Sequence, residues 1–127
     1  MVVWASLDPR RREIQFYPKA QALMLESAYT TRSPGVDAEV YLGFDFYAAT
    51  VHLPDGVKPF QTTPGSYQVG QHKPPGYRTV RRWPDHVNAA KAKRVCGEWR
   101  FCDDDDDNAE MVLPVTVPQD CVLSAGA

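Results

Sequence analysis

Lys19-Ala20-Gln21-Ala22-Leu23-Met24-Leu25-Glu26-Ser27-Ala28-Tyr29 decides the fold, because Ala22, Leu25, Ala28 and Tyr29 recur at the spacing of one helical face. A short helix with one apolar stripe is predicted here. Pro18 closes the segment before it, and Ser33-Pro34-Gly35 forces a turn after it. One such helix cannot hide its stripe alone, so the rest of the chain must supply the surface that buries it.

That surface reads as strands on both sides of the helix. Upstream, Val2-Val3-Trp4 and Glu13-Ile14-Gln15-Phe16-Tyr17 flank an Asp8-Pro9 turn, the pattern of a β-hairpin. Downstream, residues 39–53 are rich in aromatic and β-branched residues interrupted by Gly43, which suits two strands or one bent strand. Pro54-Asp55-Gly56 is a turn, Phe60 to Thr63 a brief strand, and residues 64–76, with three prolines and three glycines, an exposed loop. Tyr77-Arg78-Thr79-Val80-Arg81-Arg82-Trp83 follows as a strand. Its alternation puts Tyr77, Thr79, Arg81 and Trp83 on one face and Arg78, Val80 and Arg82 on the other. Both faces are mixed, the signature expected of an edge strand or a pocket wall. Farther on, residues 87–95 read as a basic helix, and 98–102 and 111–117 as strands, the second held to an edge by Pro114 and Pro118.

The composition of the 127 residues bounds the function. With 43% apolar and 24% charged residues the chain has the makings of one ordinary core. Eleven prolines scattered along it argue against a helical bundle. No apolar run approaches the roughly 20 residues that span a bilayer, and residues 1–6 are too short for a secretory h-region, so a soluble chain without membrane insertion is expected. Cys96, Cys102 and Cys121 are odd in number and suggest a reducing, intracellular compartment rather than a disulfide framework. The net charge of −2 conceals eight Lys/Arg between Gln71 and Arg100 facing six acids between Asp103 and Glu110. The basic tract could face an anionic ligand, and a solvated face neutralised by the acidic run accounts for both tracts without one.

Several segments in this order are similar to a WWE domain, from about Val3 to Arg82. They are Trp4, Gln15-Phe16-Tyr17, Leu25-Glu26-Ser27-Ala28-Tyr29, Gln61 after an aromatic, and Gly76-Tyr77-Arg78-Thr79-Val80-Arg81-Arg82. The resemblance implies an α+β fold in which a curved, half-open antiparallel β-sheet wraps one α-helix. It makes residues 1–83 the domain and 84–127 a C-terminal extension with an acidic loop at 103–107. It also implies an occupation, since WWE domains occur in ubiquitin ligases and ADP-ribosyl transferases and several read iso-ADP-ribose, the repeating unit of poly(ADP-ribose).

In such a reader Gln61 would take the hydrogen-bonding Gln position, Arg78 the phosphate-binding Arg, and Tyr47 or Phe46 the central-strand aromatic, with Arg82 beside them. A guanidinium presents a rigid donor fork to pyrophosphate, and a carboxamide both donates and accepts. Three departures stand out. The second family tryptophan falls near Glu13-Ile14, Ser6 stands where readers have a ligand-contacting aromatic, and the insertion at 64–75 precedes Arg78. Losing one stacking partner removes about 1–3 kcal/mol, or roughly tenfold to a hundredfold in affinity.

Other constellations have plainer explanations. Arg78, Arg81 and Arg82 with Trp83 could meet phosphates and bases, but alternate arginines also guard an edge strand and lie over neighbouring aromatics. Nucleic acid is therefore not an expected partner. Cys96, Cys102 and Cys121 with His52, His72 and His86 lack the short ligand spacing of a zinc site, and the five aspartates lack the spaced ligands and glycine of a calcium loop. Neither metal nor cofactor is expected. No nucleophile-and-base motif is present, so the chain reads as no enzyme. The first expectation is a protein-interaction module, an accessory or structural subunit of a larger assembly; the alternative is an ADP-ribose reader.

Overall fold

A computed structural model describes residues 2–8, 13–64, 76–84, 91–102, 109, 111–113 and 116–124. The chain has the α+β architecture expected, with every described strand pairing antiparallel. Strands β1 (Val3–Asp8) and β2 (Glu13–Phe16) precede helix α1 (Lys19–Thr31), and β3 (Ala38–Gly43), β4 (Ala49–Leu53), β5 (Phe60–Thr63) and β6 (Gly76–Trp83) follow it. These six make one sheet in the order β2-β1-β6-β5-β4-β3. A second sheet, ordered β8-β7-β9, is formed by β7 (Ala92–Val95), β8 (Glu98–Phe101) and β9 (Met111–Leu113).

The helix begins where the sequence places it and runs two residues beyond Tyr29. Pro18, with φ −58°, cannot donate to a preceding turn and its carbonyl accepts from Ala22 N at 2.8 Å. Arg32 leaves in an extended conformation ahead of Ser33 and Pro34. The predicted stripe is the buried one: Ala22 and Leu25 are fully enclosed, with Ala28 and Tyr29 packed beside them. They meet Trp4, Val40, Leu42, Ala49, Val51, Leu53 and Val80 from four strands, together with Tyr17 and Leu123. Two chain-distant halves thus share one core.

Alternation along each strand assigns the other face. Val3, Leu7, Ile14, Phe16 and Trp83 point away from the helix, and they are covered by Ala92, Trp99 and Phe101 of the second sheet and by Val117 and Val122. These described residues of the C-terminal segment therefore add core of their own. The final segment also returns to β1, where Val2 and Leu123 exchange backbone hydrogen bonds at 3.0 and 2.8 Å.

Two local expectations need correction. β6 lies between β1 and β5, so it is an interior strand and not an edge. Its mixed faces arise because each arginine has its own partner. Residues 92–95, placed in a basic helix from their Ala and Lys content, form β7. The cause is the Cys96-Gly97 turn, whose φ values of 51° and 82° are those of a tight hairpin that pairs Val95 with Glu98. Residues 87–90 of that expected helix, most of the 64–76 loop, the pentaaspartate, His72 and His86 lie outside the described residues.

Between β3 and β4 the chain resolves the choice left open by Gly43 in favour of two strands, joined through a 3-10 turn at Phe44–Phe46. Gly43 has φ 89° and ψ −177°, a region closed to residues with a Cβ. Gly43→Ala should lower stability by about 2 kcal/mol although nothing lies within 4 Å of the added carbon, a loss due to backbone alone. Urea unfolding at unchanged slope is the measurement. The core assignment predicts a contrast within α1: Leu25→Ala should cost about 3 kcal/mol, and Leu23→Ala, 48% exposed, less than about 0.5. Equal unfolding midpoints for the two variants would contradict it.

Candidate functional site

The helix-bearing face of the large sheet has an apolar part under α1 and a polar part beyond it. β6 spans both with Arg82, Val80 and Arg78 in turn. Cross-strand register then fixes the neighbours: Trp4 is opposite Arg82, Ser6 opposite Val80 and Gln15, and Gln61 opposite Arg78. Each polar side chain is thereby placed by pairing between segments far apart in sequence.

At the helix end, Glu26 collects three donors. Its Oε1 accepts from Trp4 Nε1 at 3.0 Å and Arg82 Nε at 2.7 Å, and its Oε2 accepts from Arg82 Nη2 at 2.8 Å. The fork arrangement is the strong form of an Arg–carboxylate pair. Arg82's hydrogen bonds hold the Glu26 carboxyl below its ordinary range, and Glu26 in turn raises the guanidinium. Arg82 and Arg32 both lie over the Tyr29 ring, 4.8 and 4.4 Å from its centre, so one aromatic serves two cations.

At the far end lies the polar group proper. Tyr17, Ser6 and Gln61 are 3%, 3% and 8% exposed, and Tyr17 Oη donates to Gln61 Oε1. Burial pushes the Tyr17 phenol well above its usual value, against the opposing influence of the Ser6 hydroxyl and the Arg78 charge. The phenol is accordingly a proton donor at all ordinary pH. Gln61 Nε2 has no hydrogen-bond acceptor among the described residues. Arg78 donates from Nη1 to Gln15 Oε1 and from Nη2 to Asp8 Oδ2 at 3.5 Å. The Arg78 cation is thus balanced by a carboxylate of its own sheet.

Of the residues singled out from sequence, Gln61 and Arg78 come together, and Arg82 shares their face but is tied to the helix. Tyr47 lies outside the strands, in the β3–β4 connection, 67% exposed and with φ 54°. Arg81 points to the opposite face, its guanidinium 5.7 Å from the centre of Phe101, where burial lowers its pKa. Sequence reasoning missed Glu26, Tyr17, Gln15 and Asp8 as polar partners. Glu26 alone carried a signal, because a carboxylate beside the buried stripe requires a donor.

His52 is on the outer face, bonded to Thr62 Oγ1 at 2.9 Å and 3.3 Å from Glu39. It stacks on Phe60, which stacks on Tyr77, at 4.6 and 5.4 Å between centres. All three cysteines are free thiols, and no group of three potential metal ligands occurs among the described residues. No helix is long and apolar enough to cross a membrane among those residues. The chain matches no family model, no curated protein and no solved structure.

The Glu26 clamp gives a signed pH dependence. Because the folded state lowers the carboxyl's pKa, the clamp contributes fully above the ordinary value of 4.5 and loses that contribution as pH falls through the lower folded value. Glu26→Gln should melt lower than the parent at pH 7 and converge toward it near pH 3. Parallel melting curves across that range would rule the clamp out.

Proposed function

We propose that the chain is a non-catalytic, WWE-like contact module, an accessory subunit whose work is to bind another protein. One observation carries this reading: Arg78 and Gln61, the pair a nucleotide reader would turn toward its ligand, are engaged by Asp8, Gln15 and Tyr17 of the chain itself. Withdrawing Arg78 from Asp8 toward a pyrophosphate exchanges one anion for another and breaks an ion pair and a hydrogen bond that the fold already makes. Ser6, small and buried, offers no surface on which a base can stack. The WWE-like arrangement is supported by the order of the elements, with one helix inserted after the first hairpin and packed over a six-stranded antiparallel sheet.

The non-catalytic part of the proposal rests on separation. Ser6 and His52 face opposite sides of the sheet, and the hydroxyl that His52 does reach, Thr62 Oγ1 at 2.9 Å, is a cross-strand contact on the outer face, away from the Gln61–Arg78 group. A second reading is favoured by one feature. Gln61 is buried with Nε2 lacking an acceptor among the described residues, and a bound base or ribose would supply one.

Calorimetric titration with iso-ADP-ribose separates the two. The expected trace is flat up to millimolar ligand, with Arg78→Ala changing only stability. A micromolar isotherm abolished by Arg78→Ala, which itself remains folded, would transfer the assignment to the reader.

A further inference from the structure

The helix covers part of one face of the large sheet, and Ala92, Trp99, Phe101, Val117 and Val122 cover the outer face of β1, β2 and β6. The margin at β3 has no such cover among the described residues. β3 ends the strand order, with β4 as its described neighbour. Edge strands are commonly blunted by Lys or Pro, and β3 (AEVYLG) has neither. Its register with β4 shifts between Tyr41 and Gly43, which confines regular backbone to residues 38–41.

Around that short edge are exposed aromatics and negative charge. Tyr41, Phe44 and Tyr47 are 54%, 78% and 67% exposed. Tyr47 and Ala48 are successive non-glycine residues at φ 54° and 56°, an uncommon backbone state that each side chain makes unfavourable. Residues 33–57 contain Asp37, Glu39, Asp45 and Asp55 and no Lys or Arg. Asp37 and Asp55 accept from the backbone N–H groups of Asp55 and Gly35, while Glu39 remains 67% exposed on β3 itself. The surface has open backbone, aromatic faces and carboxylates.

We propose that β3 is a strand-acceptor site for an extended, basic segment of a partner protein, one that alternates Lys or Arg with apolar residues. The added strand pairs main chain to main chain along residues 38–41, puts a cation beside Glu39 and lays apolar side chains and cationic stems on Tyr41, Phe44 and Tyr47. A second copy of this chain is a poor occupant, since edge-to-edge pairing would bring Glu39 and its acidic neighbours against their own kind. Nucleic acid is excluded by the same charge. This inference rests on the contact-module reading and names the partner's chemistry.

The test uses the full chain, labelled with nitrogen-15, and a monomeric acetylated (Lys-Val)4 amide as probe, with its (Glu-Val)4 and (Lys-Pro)4 counterparts. The Lys-Val peptide is expected to shift the amides of residues 38–41 and slow their hydrogen exchange, with the Glu-Val peptide at least about tenfold weaker. The Lys-Pro peptide, lacking ladder donors, should not bind. Glu39→Lys should weaken Lys-Val binding by about two- to fivefold, the scale of one exposed ion pair, and strengthen Glu-Val binding. The proposal is overturned if the Lys-Val peptide leaves residues 38–41 unmoved, if both charge forms bind equally, or if the free chain dimerises through those amides. Titrating the same sample with iso-ADP-ribose isolates the other failure: shifts at Ser6, Gln61 and Arg78 would end the contact-module reading, while the strand site stands or falls on the peptides.

Discussion

Glu26 is the point at which helix and sheet are fixed to one another. Burial of Ala22 and Leu25 holds α1 against the strands, but hydrophobic contact is non-directional and tolerates sliding. The carboxylate removes that freedom by accepting from Trp4 on β1 and from Arg82 on β6 at once. Trp4 is fully buried and its indole N–H needs a partner, so the same bond that orients the helix also satisfies the largest residue of the core. Charged groups here give direction, while the apolar stripe gives most of the free energy.

From that fixed helix the coverage of the sheet follows. A 13-residue helix is about 20 Å long and lies over part of a six-stranded sheet. Beyond it the inward face turns polar, with Ser6, Gln61 and the Tyr17 hydroxyl buried near Arg78, while the Tyr17 ring itself packs in the core. The outward face is treated unequally. Leu7, Ile14 and Trp83 are packed under Trp99 and Phe101, whereas Tyr77 at the end of the His52-Phe60-Tyr77 stack is 60% exposed.

What the sequence made legible divides along local and non-local lines. The helical stripe, the strands around Gly43 and the two faces of residues 77–83 depend on periodicity within one segment, and they are visible without a partner. The position of that last strand is different. Arg78, Val80 and Arg82 look the same on an edge as in the middle, because the neighbours that decide it, β1 and β5, come from elsewhere in the chain. In residues 92–95 a local signal misled: alanine and lysine favour helix, but a two-residue turn at Cys96-Gly97 lets Trp99 and Phe101 reach Leu7, and tertiary packing outweighs propensity. The candidate site was half legible for the same reason. Gln61 and Arg78 stand out as residue types, yet their direct opposition and their internal partners exist only through strand register.

That opposition also explains why one face need not imply one role. Arg82, Val80 and Arg78 are consecutive on the inner face of β6, but the first is an ion-paired anchor, the second is core and the third balances Asp8. An arginine's function is set by what its guanidinium can reach, and a strand advances about 6.8 Å for every two residues, enough to move from helix to open polar end in two steps. Three side chains of one alternating set therefore sample three environments. The strand is an interior one whose polar groups are largely answered within the chain, and the exposed aromatic rings Tyr41 and Phe44 lie instead at the β3 end of the sheet.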